Sequence, residues 1–417
     1  MSPTLVALSP FGLRAEFPTG TRLTDVDFEE LKKWVDVHRV VQLRGVLPVP
    51  LHELSRALAA PEAVLALPWQ QGDFVIADNH ALLHGRRAFV DKAPRHLHRV
   101  NVLDPDRRWW AGLRAAWRVR RPEFFRAELP ILMIPAFLSA ASLGALASWP
   151  FFEGVLLFFL LFNVGDMINC WFDRDVDLHR KTHLAEAIAR VGRRSLAVQI
   201  AGSAILATGL AVHLAMTLDR PWLAPAGLLG AVFGAGYTAP PLRLKSRGLV
   251  QLAAYVGLLF VGPMLMVAGV FRETPGLDVV LTSLCFGAMQ TGVLLVNTAE
   301  DLDEDEREGI RTVAVVLQAR GSIVLARALV FGGGLLLAVG LGRAAGGAWS
   351  LASLPLLAVV AWNTRWLHSL ASRLAPLDEA ARREAIRAQG KHVPKRIETG
   401  AWVALIAAAA VFAARSS

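Results

Sequence analysis

Cysteine is scarce in this 417-residue chain, with Cys170 and Cys285 the only two, both in or beside apolar runs. That excludes a disulfide framework and a CxxC metal site. The chain also opens without the basic stretch, apolar core and small-residue cleavage site of a secretory leader, since "MSPTLVALSPFGLRAEF" has no such pattern. The N-terminus is therefore expected to stay cytoplasmic. Acidic residues are outnumbered, 35 against 44 lysines and arginines, for a net charge of +9. These cations flank apolar runs instead of building one basic soluble face, so the expected partner is anionic lipid headgroups and not nucleic acid.

Apolar residues are abundant: 54% of the chain is hydrophobic and its mean hydropathy is +0.42. Such a composition places most of the chain in a bilayer. Nine runs approach the length of a membrane-crossing helix, at roughly 129–148, 151–169, 195–216, 222–239, 249–270, 278–297, 322–342, 348–364 and 400–414. Pro130, Pro135, Pro225 and Pro263 inside them are tolerable, because neighbouring helices can satisfy the carbonyls that proline frees. The expected fold is an all-α polytopic membrane bundle of about nine transmembrane helices over 128–417, preceded by a small partial-β module over 1–105. Between them, 106–127 contains "RRWWAGLRAAWRVRR", whose alternating Trp and Arg predict an interfacial amphipathic helix.

Lys and Arg concentrate in the connections 170–194, 240–248, 298–321 and 365–399, whereas the opposite set of connections holds only Arg220, Arg272, Arg343 and Arg415. By the positive-inside rule the first set faces the cytoplasm of an inner membrane, as does the N-terminal module.

The chemistry is expected on that face. "NCWFDRDVDLHRKT" places Asn169, Asp173 and Asp177 at intervals of four, and "NTAEDLDEDEREGIRTVAVVL" repeats the spacing with Asn297, Asp301 and Asp305. Four-residue spacing stacks side chains on one helix face. Carboxylates so stacked suit Mg²⁺, which favours hard oxygen ligands and shares its shell with substrate phosphates. A single such motif reads equally well as a solvated acidic loop, but a repeat at equivalent membrane-level helix ends points to function. Arg174, Arg180 and Lys181 lie near the first motif, Arg307 and Arg311 near the second, and "GYTAPPLRLKSRG" adds Arg243 and Lys245 after a stiffening Pro240-Pro241 pair.

These three segments resemble the UbiA superfamily of intramembrane prenyltransferases over roughly 122–414. The resemblance implies a helical bundle around a membrane-open cavity. It further implies that Asp173, Asp177, Asp301 and Asp305 hold Mg²⁺ against a prenyl diphosphate, and that Asn169, Arg180, Lys181, Arg243, Lys245, Asn297 and Arg311 bind the diphosphate. The implied reaction transfers the prenyl group to a lipophilic or aromatic acceptor. A terpene cyclase, or a transferase of another phosphorylated group, would use the same metal site, and a transporter is the alternative of a different class. The family's first motif commonly reads NDxxDxxxD followed by Arg-Pro, whereas this chain has Cys170 after Asn169 and "KTHLAEAI" in place of Arg-Pro.

Within 1–103, "VVQLRGVLP" and "QQGDFVIADNHALLHGRRAFVDKAPRHLHRVNVL" resemble the opening and closing strands of TauD-like dioxygenases. The resemblance would map the distal iron-binding histidine onto His84 and the oxoglutarate-binding arginine onto Arg99. The HxD pair that should lie between is absent, and only the 18 residues 49–66 separate "LRGVLP" from "LPWQQGDF". The segment is therefore expected to be a non-catalytic remnant available to a protein partner.

Overall fold

The computed structural model describes residues 3–7, 13–21, 30, 33–34, 40–46, 74–77, 108–172 and 182–417. The chain falls into two compact units, Met1–Asp106 and Arg107–Ser417.

In the first unit, β1 (Thr4–Ala7), β2 (Leu13–Thr21), β3 (Val40–Val46) and β4 (Phe74–Ala77) form a sheet in the order β1-β2-β3-β4. β2 and β3 run parallel and the outer pairings are antiparallel. Alternation along β2 buries Leu13, Ala15 and Phe17 on one face. On the other, Arg14 Nε donates to Gln42 Oε1 at 2.9 Å, and Arg14 and Arg44 approach Glu16 at 3.8 and 3.7 Å.

The second unit is helical. Its elements are α1 (Arg108–Val119), α2 (Phe125–Ser139), α3 (Trp149–Phe172), α4 (Thr182–Val191), α5 (Arg193–Thr217), α6 (Leu223–Thr238) and α7 (Val250–Phe271). They continue with α8 (Leu277–Glu300), α9 (Leu302–Arg307), α10 (Val313–Ala345), α11 (Leu354–Leu374), α12 (Glu379–Arg387) and α13 (Val393–Ser416). Among the described residues, six helical segments are long and apolar enough to cross a membrane: α3, α5, α7, α8, α10 and Glu379–Ser416. α6 is apolar but has only 16 residues. The chain is an integral membrane protein, and its lipid-facing character shows on α5, where Val198, Ile205 and Met216 are 71%, 73% and 78% exposed.

Several boundaries differ from the sequence expectation. The predicted interfacial segment breaks after Val119, because Arg121 takes a left-handed φ of 51° and Pro122 starts a separate 3-10 turn. The first predicted span, 129–148, ends as a helix at Ser139, where Ala140 turns extended with ψ 139°. Gly347–Ser353 is a 3-10 turn, so the predicted span 348–364 becomes a helix only at Leu354 and then runs on to Leu374. Its apolar face is interrupted by Asn363, Arg365 and His368, which is why it falls outside the six.

α8 and α10 pack closely through glycine. A Cβ on Gly292 would lie 2.6 Å from Ala326 O, and one on Gly333 would lie 2.8 Å from Cys285 O. Small residues let membrane helices approach this far, and here they lock together the two helices that flank α9.

Candidate functional site

Asp301 follows the last residue of α8, and Asp305 sits one turn later on α9. The Asp305 amide donates to Asp301 O at 2.9 Å, and the Ile310 amide donates to Asp305 O at 2.8 Å as Gly309, with φ 68°, turns the chain. Leu302 and Ile310 are buried and pin this loop to the bundle. Thr312 then joins motif to helix: its hydroxyl donates to Asp305 Oδ2 at 2.9 Å and accepts from the Val315 amide at 3.4 Å, capping α10. Burial pushes the Asp305 carboxyl up to about 7, with Asp301 and Glu308 adding to the rise and Lys245 and the Thr312 hydrogen bond opposing it.

That role of Lys245 brings the third loop to the second motif. Lys245 is only 9% exposed, and Gly248 N donates to Arg311 O at 2.6 Å. Arg247 Nη2 donates to Pro241 O at 3.0 Å and closes the loop on itself.

A second polar chain lies between the helix ends. Gln251, 2% exposed on α7, accepts from the Val313 amide at 2.8 Å and donates to the Tyr237 and Tyr255 hydroxyls at 3.1 and 3.4 Å. Tyr255 in turn meets Thr298 Oγ1 of α8 at 3.2 Å, and Thr238, beside Tyr237, donates to Asn169 Oδ1 at 2.8 Å. The chain has two tyrosines, and both are here with ring centroids 5.7 Å apart. Tyr255 also opens a π-helical turn, Tyr255–Val261, a deviation common at functional sites. Gln251→Leu is expected to orphan the Val313 amide and both hydroxyls, costing about 1–3 kcal/mol for the amide alone. Thermal melting of the purified protein checks it.

The remaining acids of α9 face elsewhere. Arg383 Nη1 reaches Asp303 at 2.7 Å and Glu306 at 2.8 Å, and Arg387 reaches Asp303 at 2.8 Å and Glu304 at 3.2 Å. Hydrogen bonds from Arg383 hold both Asp303 and Glu306 below their ordinary values.

The structure thus brings together Asp301, Asp305 and Lys245, and places Asn169 at the end of the tyrosine chain. Asn297 is exposed on α8 one turn before Asp301, and Arg243 and Arg311 are exposed. Asp173, Asp177, Arg174, Arg180 and Lys181 lie outside the described residues, as do His84 and Arg99. Among the described residues no group of three or more His, Cys, Asp or Glu side chains forms a metal shell. Sequence reading missed Thr238, Gln251, Tyr255 and Thr298. Gln251 carried a usable signal, being a polar residue in an apolar run.

Cys170, where the family's motif commonly has aspartate, is buried with its Sγ 3.7 Å from Val119 O. It packs in a cluster with Ala115 and Val119 of α1, Met167 of α3, and Leu184 and Ile188 of α4.

Comparison with known proteins agrees with this architecture. The taurine catabolism dioxygenase TauD, TfdA family model matches residues 50–101. Over 53 residues the chain is 53% identical to 3-((Z)-2-isocyanoethenyl)-1H-indole synthase of Fischerella ambigua, covering 13% of this chain and 19% of that protein. The chain therefore spans about a fifth of the length of that relative. It is 26% identical over 227 residues to 1,4-dihydroxy-2-naphthoate octaprenyltransferase of Bacillus subtilis, covering 50% of this chain and 68% of the relative. The structure of a UbiA homologue from Archaeoglobus fulgidus matches with a TM-score of 0.52 at 12% identity, covering 73% of this chain and 100% of that one. The UbiA prenyltransferase family model matches residues 129–380, more than half of the sequence, and the chain belongs to that family.

Proposed function

We propose that the chain is a Mg²⁺-dependent prenyltransferase that moves a prenyl group from its diphosphate to a lipophilic or aromatic acceptor, with the site on the cytoplasmic face. The observation that carries this reading is the Asp301–Asp305 pair, held by Thr312 and a short loop, with buried Lys245 beside it. The donor set fits Mg²⁺: carboxylate oxygens only, on adjacent turns. Asp301 and Asp305 would hold the ion together with Asp173 and Asp177 of the first motif. When bound, Mg²⁺ supplies charge neutralisation to the diphosphate and so makes pyrophosphate a better leaving group.

The chain's own groups account for the rest. Lys245, Arg243 and Arg311, joined by Arg180 and Lys181, counter the charge on the diphosphate oxygens as the allylic C–O bond breaks. Asn169, whose Oδ1 accepts from Thr238, offers its amide N–H₂ to a diphosphate oxygen, and Asn297 sits at the equivalent place on α8. The rings of Tyr237 and Tyr255, tilted 34° to one another, offer π faces to a developing allylic cation. In the N-terminal unit, the TauD-like segment serves as a non-catalytic module for a protein partner.

The test incubates full-length protein in lipid nanodiscs with labelled prenyl diphosphates of graded chain length, with and without a lipid and quinone-precursor extract. The expected result is a prenylated product that forms only with extract. A labelled hydrocarbon formed without extract would replace transfer by cyclisation, and a diphosphate left intact under all conditions would remove both readings.

A further inference from the structure

Building on that reading, we propose that Arg383 and Arg387 are positioning residues for the Asp301–Asp305 pair. They grip α9 by the carboxylates that the metal does not use.

α9 has six residues, too few to persist as an isolated helix. Its surroundings are hostile to it, because Glu300, Asp301, Asp303, Glu304, Asp305, Glu306 and Glu308 repel one another along nine positions. At about 100° per residue, Asp303 lies across the helix from Asp301 and Asp305, with Glu306 toward the same far side. Arg383 binds that far side as a fork, Nη1 to Asp303 and Glu306 and Nη2 to Glu306 at 3.1 Å and to Gln318 Oε1 at 3.0 Å. One guanidinium therefore joins α12, α9 and the beginning of α10. Arg387 adds Asp303 and Glu304.

Gln318 makes the same junction from the other direction. It interrupts α10 with φ 58° and ψ 175°, a conformation that a non-glycine residue keeps only when its surroundings over-determine it. Here Gln318 Nε2 donates to Glu306 Oε1 at 3.1 Å and to Val315 O at 2.8 Å, and the Ala319 amide donates to Glu379 Oε1 at 3.1 Å. α12 thus fixes both the acidic helix and the kink that follows it. Arg383 and Arg387 lie on α12, in the connection between α11 and α13 and beyond residue 380, where the family match ends.

Mn²⁺ serves as the spectroscopic probe for Mg²⁺ on the full chain in detergent, with free Mn²⁺ read by electron paramagnetic resonance and α9 amides by hydrogen exchange. For Arg383→Gln the Mn²⁺ dissociation constant is expected to rise about tenfold or more, as for lost outer-shell support of a metal site. Exchange should quicken across 302–307 while the cores of α8 and α10 keep their protection. Arg383→Lys, which keeps the charge and loses the fork, should recover only part of the affinity. An Arg383→Gln protein with unchanged Mn²⁺ affinity and unchanged α9 exchange overturns the positioning role alone. Mn²⁺ binding that Asp301→Asn leaves intact overturns the metal reading and the positioning role with it.

Discussion

Asp305→Asn is expected to lower Mg²⁺-dependent consumption of prenyl diphosphate by about 10²–10³-fold, the usual scale for removing one preorganised electrostatic group. The same change should make the metal-free protein more stable above pH 7. Asparagine keeps the shape and still accepts from the Thr312 hydroxyl, yet removes a charge that burial and Asp301 both oppose. The sign follows from linkage. A carboxyl whose folded value is raised to about 7 contributes its full stability below its unfolded value, and loses that contribution as pH rises through about 7. Metal-free wild type should therefore fall further behind the variant in melting temperature at about pH 8 than at about pH 5.5. Mg²⁺ should close the gap by binding the ionised pair. A gap that ignores both pH and Mg²⁺, or a variant with full turnover, would contradict the assignment.

Restoring the family's acid at the first motif should fail. Cys170→Asp places a carboxylate among Ala115, Val119, Met167, Leu184 and Ile188, where α1 and α4 close over α3. An uncompensated buried charge costs about 3–5 kcal/mol, so melting should fall sharply and activity should not rise. Cys170→Ala, which removes only a small apolar group, should be far milder. A Cys170→Asp protein as stable as wild type and more active would show that this position faces the site.

The bundle was legible because hydropathy is local: each of the nine predicted runs lies at least partly on a helix, even though six helical segments meet the length and apolarity of a span. The boundaries were less so, since the break at Ala140 and the turn before Leu354 depend on backbone conformation that apolar composition does not report. At the site, the four-residue spacing of Asp301 and Asp305 stood out because the two sit one turn apart in sequence and in space. What joins them to the rest did not. Gln251 meets Val313 across 62 positions, Thr238 meets Asn169 across 69, and Arg383 meets Asp303 across 80. No periodicity within one segment encodes such pairings. The seven acids from Glu300 to Glu308 read as a single charged run until the arginines of α12 divide them into two faces.

Pyrophosphate release from a prenyl diphosphate, followed on reconstituted full-length protein with Mg²⁺ and again with EDTA, tests the diphosphate clamp most directly. Release should require Mg²⁺, stop on chelation and disappear in both Asp173→Ala and Asp301→Ala. Release that survives EDTA, or full activity in either variant, would mean that the paired carboxylate motifs are not where the diphosphate is held.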